Sequence, residues 1–510
     1  MSRVWLLLGL LLVVALVAAA CGGSDSTSTN NLAGIGEGGA TPPAAELLPA
    51  DVPVLVTINT DLSSEQWQLA EAIVDKFPAS QELIDRALVD LAGEGLDFET
   101  DIRPALGPDV TIAVLEVSGD DPPVAVILKP ADAARLESLL MRNQSEDPDN
   151  APVWRVVEES YVLADDEATL DTLLAGAEQA PLTDDDRFKD VMESLPGDSL
   201  ARVWISAAVT DEIVAQAAAE NPSGLEALES LAGIDQGTFE GAGVALLAAE
   251  EGVRFVGISK SVDAPETGTG TAEILELAPA GALAYVSLHD LRQSLEQVID
   301  LALAEQPDAE QQIAQAEALL RLTIEDDLLP LFENEHAVYV RPGVPIPEVT
   351  VVLSPDDPDA AVELVKQFGA LAAIGGLDLQ SDTVDIGGTA VEQLGFNGVT
   401  LYIGSVEGRV VITTAEAGIT DFGGADSLGE DPRFADVASA AGLPGETAGF
   451  AYVDVAGIVE LVTFGGLLGA LGGNDIDPEV LRNLDPLGAA IVYGTSSADE
   501  QQFAGLLTIE

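Results

Sequence analysis

The chain is poor in the residues on which most site chemistry depends. Of 510 residues one is cysteine and two are histidine, and 20 lysines and arginines stand against 88 aspartates and glutamates, for a formal net charge of −68. A single thiol, Cys21, allows no disulfide within the chain and no multi-cysteine zinc site. The two histidines, His289 and His336, lie far apart in sequence and fall short of the three or four ligands a zinc centre gathers. Scarce cations and abundant acid repel nucleic acid and anionic lipid head groups, so no nucleic-acid partner is expected. No glycine-rich phosphate loop or dinucleotide fingerprint sits between a strand and a helix. What is plentiful is apolar matter, 47% of the chain, which argues against disorder in the body of the protein. The acid is spread along the chain rather than gathered in a tail. That pattern reads as a solvated acidic surface with cations condensed on it.

The only long greasy run is at the front. Ser2 and Arg3 give a short positive start, Val4 to Val17 is almost wholly apolar, and Ala18, Ala19 and Ala20 lead into Cys21. This is the layout of a secretory signal peptide, shorter than the roughly 20 residues of a spanning helix. A cysteine directly after small residues resembles the bacterial lipoprotein signal, with Ala18 where leucine is commonest. The resemblance implies that Cys21 carries a diacylglyceryl group and begins the mature chain, which places the protein outside the cytoplasm on the bacterial membrane. Residues 22–44 are mainly Gly, Ser, Thr, Asn, Ala and Pro with few large apolar groups, the composition of a tether. With Cys21 acylated, the rest of the chain has no thiol to act as nucleophile or ligand.

Internal similarity accounts for the length. "LTDDDRFKDVMESLPGDSLARVWI" (182–205) parallels "LGEDPRFADVASAAGLPGETAGFAYV" (428–453). "ELLPADVPVLVTINTD" (46–61) parallels "ELAPAGALAYVSLHD" (276–290), and "PPVAVILKPADAARLESLL" (122–140) parallels "PEVTVVLSPDDPDAAVELV" (347–365). "GAGVALLAAEEGVRFVGISK" (241–260) parallels the closing "GAAIVYGTSSADEQQFAGLLTIE" (488–510). The order is the same throughout, so the expected organisation is a signal (1–20), a tether (21–44), one half (45–261), a linker (262–273) and a second half (274–510). Each half reads strand, helix, two strands, helix, strand. The spacing predicts a strand at Val54–Asn59, a helix from Ser64, strands at 110–117 and 124–128, and a helix over 132–141. Asp165 is expected to cap the next helix, and turns are expected at "EEG" (250–252), Asn397-Gly398 and Glu407-Gly408. The fold class is α+β: two duplicated halves, each a mainly antiparallel sheet with helices on one face, meeting along a groove.

These motifs, with "DIRPALGPDVTIAVLE" (101–116), resemble a bacterial family called domain of unknown function 3352, from about Ala45 to Glu510. Members are commonly extracytoplasmic, so the resemblance implies an envelope protein. It implies no reaction, ligand or catalytic residue.

Four features could carry chemistry. Gly197-Asp198-Ser199-Leu200 looks like the nucleophile motif of an esterase family, but it precedes a strand deep in the chain. No Asp stands three residues before either histidine; His336 has Glu333, and the parallel segment reads Gly445-Glu446-Thr447-Ala448. The plainer reading is a turn. The histidines read as surface or satisfied core residues. Acidic clusters at 146–150, 183–187, 354–359 and 474–479 lack a calcium loop with central Gly and terminal Glu. "AGIVELVTFGGLLGALGG" (456–473), with Glu460 as its one charge and Gly465 and Gly469 at close-packing spacing, reads as a core helix or glycine-rich cap, the alternative being a segment that touches membrane or lines an apolar groove. The expectation is a non-enzymatic binding or scaffolding module with no metal or cofactor. Its partner would be the membrane, through the lipid, with an envelope protein besides. The alternatives are a carrier of a hydrophobic ligand between the halves and an unrecognised hydrolase.

Overall fold

A computed structural model describes residues 38–80, 96–117, 122–146, 148, 151–209, 238–262, 268–292, 295–296, 299, 313–314, 317–318, 322–343, 346–374, 380–396, 399–465, 482–497 and 500–510. Cys21, the signal, most of the tether, the Asn397-Gly398 turn, the acidic cluster at 474–479 and Gly469 lie outside these residues.

The elements of the first half are β1 (Val54–Asn59), α1 (Glu65–Val74), β2 (Asp109–Val114), β3 (Val124–Leu128), α2 (Ala133–Glu146), β4 (Val153–Val157), β5 (Ser160–Ala164), α3 (Glu167–Gln179), α4 (Asp186–Ser194), β6 (Ala201–Ser206), β7 (Thr238–Ala249) and β8 (Gly252–Val262). Those of the second are β9 (Ala284–His289), β10 (Glu335–Arg341), β11 (Glu348–Leu353), α5 (Pro358–Ile374), β12 (Gln380–Ile386), β13 (Thr389–Phe396), β14 (Val399–Val406), β15 (Arg409–Thr413), α6 (Ala417–Thr420), α7 (Pro432–Ala441), β16 (Gly449–Asp454), α8 (Val455–Gly465), β17 (Leu487–Ser497) and β18 (Glu500–Ile509).

Among the described residues all strands join one 18-stranded sheet. Its spatial order is β4-β5-β3-β2-β1-β6-β7-β8 and then β18-β17-β16-β9-β10-β11-β15-β14-β13-β12, with every pairing antiparallel. The order of pairing is the same from either end to the middle, except that β12 and β13 are an extra hairpin in the second half. Local chemistry repeats too. Asp185 and Asp431 cap α4 and α7, each accepting from the backbone N–H two residues on. The Phe188 ring meets Trp204 edge-on at 5.6 Å, and Phe434 meets Tyr452 at 5.2 Å.

The halves are joined edge to edge by the β8–β18 ladder. Two cross-strand pairs at its centre, Phe255↔Gly505 and Gly257↔Phe503, put a phenyl ring over a glycine in both directions. Phe255 and Phe503 are equivalent positions in the parallel segments, as are Gly257 and Gly505, so exchanging the halves reproduces the seam. Charged groups tie it further. Arg254 of β8 donates to the Ala440 and Ala441 carbonyls at the end of α7, where cations suit the helix dipole. Lys260 lies 3.6 Å from Glu500.

Helices pack on both faces, not on one. Neighbouring strand residues point to opposite sides, and Ile127 joins the core under α3 and α4 while Leu128 packs with Leu136 and Leu140 of α2. In the second half Val411 belongs to the core with Phe434 of α7, and Val410 to the cluster with Ala361 of α5. The uninterrupted apolar runs, such as Val124 to Leu128, are those of strands buried on both sides. On the α2 face, α1 also packs against β7 and the end of β18. There Gln66 gives and takes one hydrogen bond each with the Ala248 backbone, 3.2 and 2.8 Å, satisfying polar groups beyond the end of β6.

Two local expectations shift. The folded body reaches back into the tether: the Gly39 N–H donates to the Leu195 carbonyl at 2.8 Å and Ala44 is buried. The glycines there serve close approach, since a Cβ on Gly39 would lie 2.6 Å from Gly197 Cα. The cap of α3 is Asp166, accepting from Thr169 N–H at 2.9 Å, rather than Asp165. The β14–β15 turn at Glu407-Gly408 is as expected, with positive φ at both residues. The matching β4–β5 turn uses Glu158 and Glu159, also at positive φ.

Candidate functional site

The serine singled out by sequence is not poised for attack. Ser199 is buried just before β6, and its described contact is a carbonyl that accepts from Asn59 Nδ2 at 3.4 Å. It belongs to the first half, while both histidines belong to the second. No described contact joins them.

The histidines themselves are brought close, on adjacent strands. His289 ends β9 opposite Glu335, and His336 is the next residue of β10, opposite Leu288. Alternation sends their side chains to opposite faces. The His336 ring packs on Phe332 at 5.5 Å. The His289 ring sits against Gly270, whose added Cβ would lie 2.7 Å from Nδ1. Burial lowers the basicity of both rings, and for His289 the nearby His336 adds to the effect. Glu333 is taken by an ion pair with Arg292, so it does not orient His336. Other acids act as caps: Asp185 for α4, and Asp357, whose Oδ1 accepts from Ala360 N–H. Among the described residues no three His, Cys, Asp or Glu side chains converge as a metal site would require. Glu460 of α8 pairs with Arg433 at 2.9 Å, and Gly465 ends that helix. Among the described residues no helix is long and apolar enough to cross a membrane.

The group that sequence reasoning passed over is Glu335, the first residue of β10, only 6% exposed. Its carboxylate accepts from Ile274 N–H at 2.8 Å and from Ser287 Oγ at 3.0 Å. Burial pushes it up to about 7; the two hydrogen bonds and the nearby Arg409 only partly oppose this. The same ladder position in the first half holds Asp109, opposite Asn59. Burial raises it as well, against the Arg202 guanidinium. Further along the same face, Arg341 forks onto Glu348 at 2.8 and 2.9 Å and reaches Asp421 at 3.0 Å. Beside them Thr350 and Thr413 share a hydrogen bond of 2.9 Å, and burial pushes Tyr339 up to about 12. Glu335 can hold or release a proton near neutrality. Ser287 beside it is fully buried and offers no nucleophile to a substrate.

Comparison with known proteins adds a family and little else. Three crystal forms of TP0453 resemble part of the chain. Form III is 14% identical, covers 46% of this chain and 79% of its own, and has a TM-score of 0.24. Form IV is 14% identical with coverages of 44% and 76% and a TM-score of 0.23. Form I is 13% identical with coverages of 47% and 80% and a TM-score of 0.23. At these scores the likeness carries no argument. No curated protein matches the chain. A family model described as a protein of unknown function matches residues 6–156 and 142–490. With most of its length inside those matches, the chain belongs to the DUF3352 family of proteins of unknown function.

Proposed function

We propose that the protein is a non-enzymatic binding or scaffolding module of the bacterial envelope, held to the membrane by a lipid on Cys21. The observation that supports a scaffold is the single hydrogen-bonded sheet of 18 strands running unbroken through both halves. At a strand spacing of about 4.8 Å such a sheet extends about 80 Å. A long sheet buttressed by helices on both faces offers reach and stiffness. The acidic surface keeps it off anionic head groups and leaves it to face a protein partner.

Two measurements test this. Cys21→Ser should move the protein from the detergent phase to the aqueous phase on phase partitioning, and only the wild type should carry fatty mass on its first residue. Native protein that keeps residues 1–20, or has a bare thiol at Cys21, overturns the anchor. For the non-enzymatic part, a fluorophosphonate probe should leave the purified protein unlabelled. Labelling that disappears in Ser199→Ala would establish a serine hydrolase instead.

A further inference from the structure

Residues 268–276 lead into the second half and lie across the ends of β9 and β10. They are fastened at three points. Gly270 and Thr447 exchange backbone hydrogen bonds of 3.0 and 3.1 Å. The Glu273 carboxylate pairs with Arg409 at 2.7 Å. The Ile274 N–H ends on Glu335, and the Ile274 side chain is fully buried in the core. Glu335 is therefore closed off from water partly by the segment it holds. The titratable and charged groups around it are Tyr285 and His289 from β9, Arg409 from β15 and Glu273 from the segment itself. His289 is also sensitive to Glu273, and its Nε2 has no hydrogen-bond partner among the described residues.

We infer that residues 268–276 are a proton-controlled strap, seated when Glu335 is neutral and released more readily when Glu335 is ionised. A neutral carboxyl can still accept from Ile274 N–H through one oxygen while its hydroxyl donates to Ser287 Oγ, so protonation costs the seated form no bond. Ionisation places a charge in the core, with Arg409 already committed to Glu273. Releasing the strap returns Glu335 to water.

The sign follows from linkage. Seated, Glu335 titrates at about 7; released, it returns toward its ordinary 4.5. Below 4.5 both forms are protonated and the strap is at its firmest. As pH rises the released form gives up its proton first, and the seated form loses ground until pH passes about 7. The gap corresponds to a change in the opening constant on the order of 100-fold.

Hydrogen exchange on the full chain between pH 5 and 8, with rates divided by the intrinsic exchange rate at each pH, tests the strap. In the wild type, protection at the Ile274 and Gly270 amides should fall on the order of 100-fold across this range, while seam amides such as Val256 and Ala504 hold constant. Glu335→Gln keeps the Ile274 N–H contact through its amide oxygen, can donate to Ser287 Oγ through its amide nitrogen, and should abolish the slope. His289→Asn, which installs the residue found at the matching Asn59, should keep it. A flat wild-type profile overturns the strap, and it decides the matter even if Glu335→Gln fails to fold. A slope that survives Glu335→Gln, or one that the seam amides share, overturns it equally.

Discussion

Gly257→Val is expected to be among the most damaging single substitutions in the protein. A Cβ on Gly257 would stand 1.9 Å from Phe503 Cζ, with both Cε atoms of that ring inside 2.7 Å. The whole ring must move, and it is buried among Val244 and Phe255. Overpacking of this kind costs about 3 kcal/mol. Here it also strains the ladder that joins the halves, so the loss should appear as a lower denaturation midpoint in urea. Gly505→Val should behave alike. Its Cβ would meet Phe255 at 2.4 Å and the Ile491 carbonyl at 3.0 Å. The seam's symmetry supplies the sharper test. Directly opposed residues of an antiparallel pair are related by a local twofold, so a phenyl ring on β8 over a glycine on β18 is equivalent to the reverse. The exchange Gly257→Phe with Phe503→Gly should recover most of what Gly257→Phe alone loses. A Gly257→Val midpoint equal to that of the wild type would show that ring and glycine do not confine each other.

The seam also shows how far sequence reasoning reached. The paired segments 241–260 and 488–510 are visible in the chain, and within them Phe255-x-Gly257 and Phe503-x-Gly505 stand at matching places. What the string does not say is that each motif docks on the other. Ladder partners are set by edges that meet in space, and a sheet with two like halves can close on itself or extend. The same gap explains the helices. Val124 to Leu128 is apolar at every position, and that continuity marks a strand covered on both faces, as it is by α2 and by α3 with α4. An expectation of one covered face needed alternation that the residues do not show. Asp165 and Asp166 are chemically alike, and only the start of α3 at Glu167 chooses between them. Glu335 was invisible for a different reason. It is one of 88 acids, and what distinguishes it is burial beneath Ile274, a contact 61 residues away in sequence. Asp109 at the matching ladder position is a signal that aligning the two halves strand by strand could have found. In the sequence the two histidines stand 47 residues apart, as isolated residues. Only the β9–β10 register makes them neighbours.

Arg341 is the second position where a single change should be severe. Burial works against its charge, and the carboxylates of Glu348 and Asp421 overcome that and hold the guanidinium above its ordinary range. The pair is unequal in exposure: Glu348 is 5% exposed and Asp421 about half exposed at its side chain. Arg341→Met therefore strands one carboxylate in the core, with Thr350 Oγ1 at 3.4 Å beside it, and leaves the other in water. Breaking a buried pair in this way costs about 3–5 kcal/mol. The pair itself contributes much less, because two desolvated charges largely offset their own attraction. Arg341→Met combined with Glu348→Leu should therefore return to within about 1 kcal/mol of the wild type, leaving Asp421 to the solvent. Arg341→Lys should fall between the two, since an ammonium cannot reproduce the two-pronged contact. The measurement is urea denaturation of the four proteins at one pH. If the double variant is as unstable as Arg341→Met alone, the damage comes from lost packing at the β10–β11 rung and not from an orphaned charge. The electrostatic account of this cluster then fails.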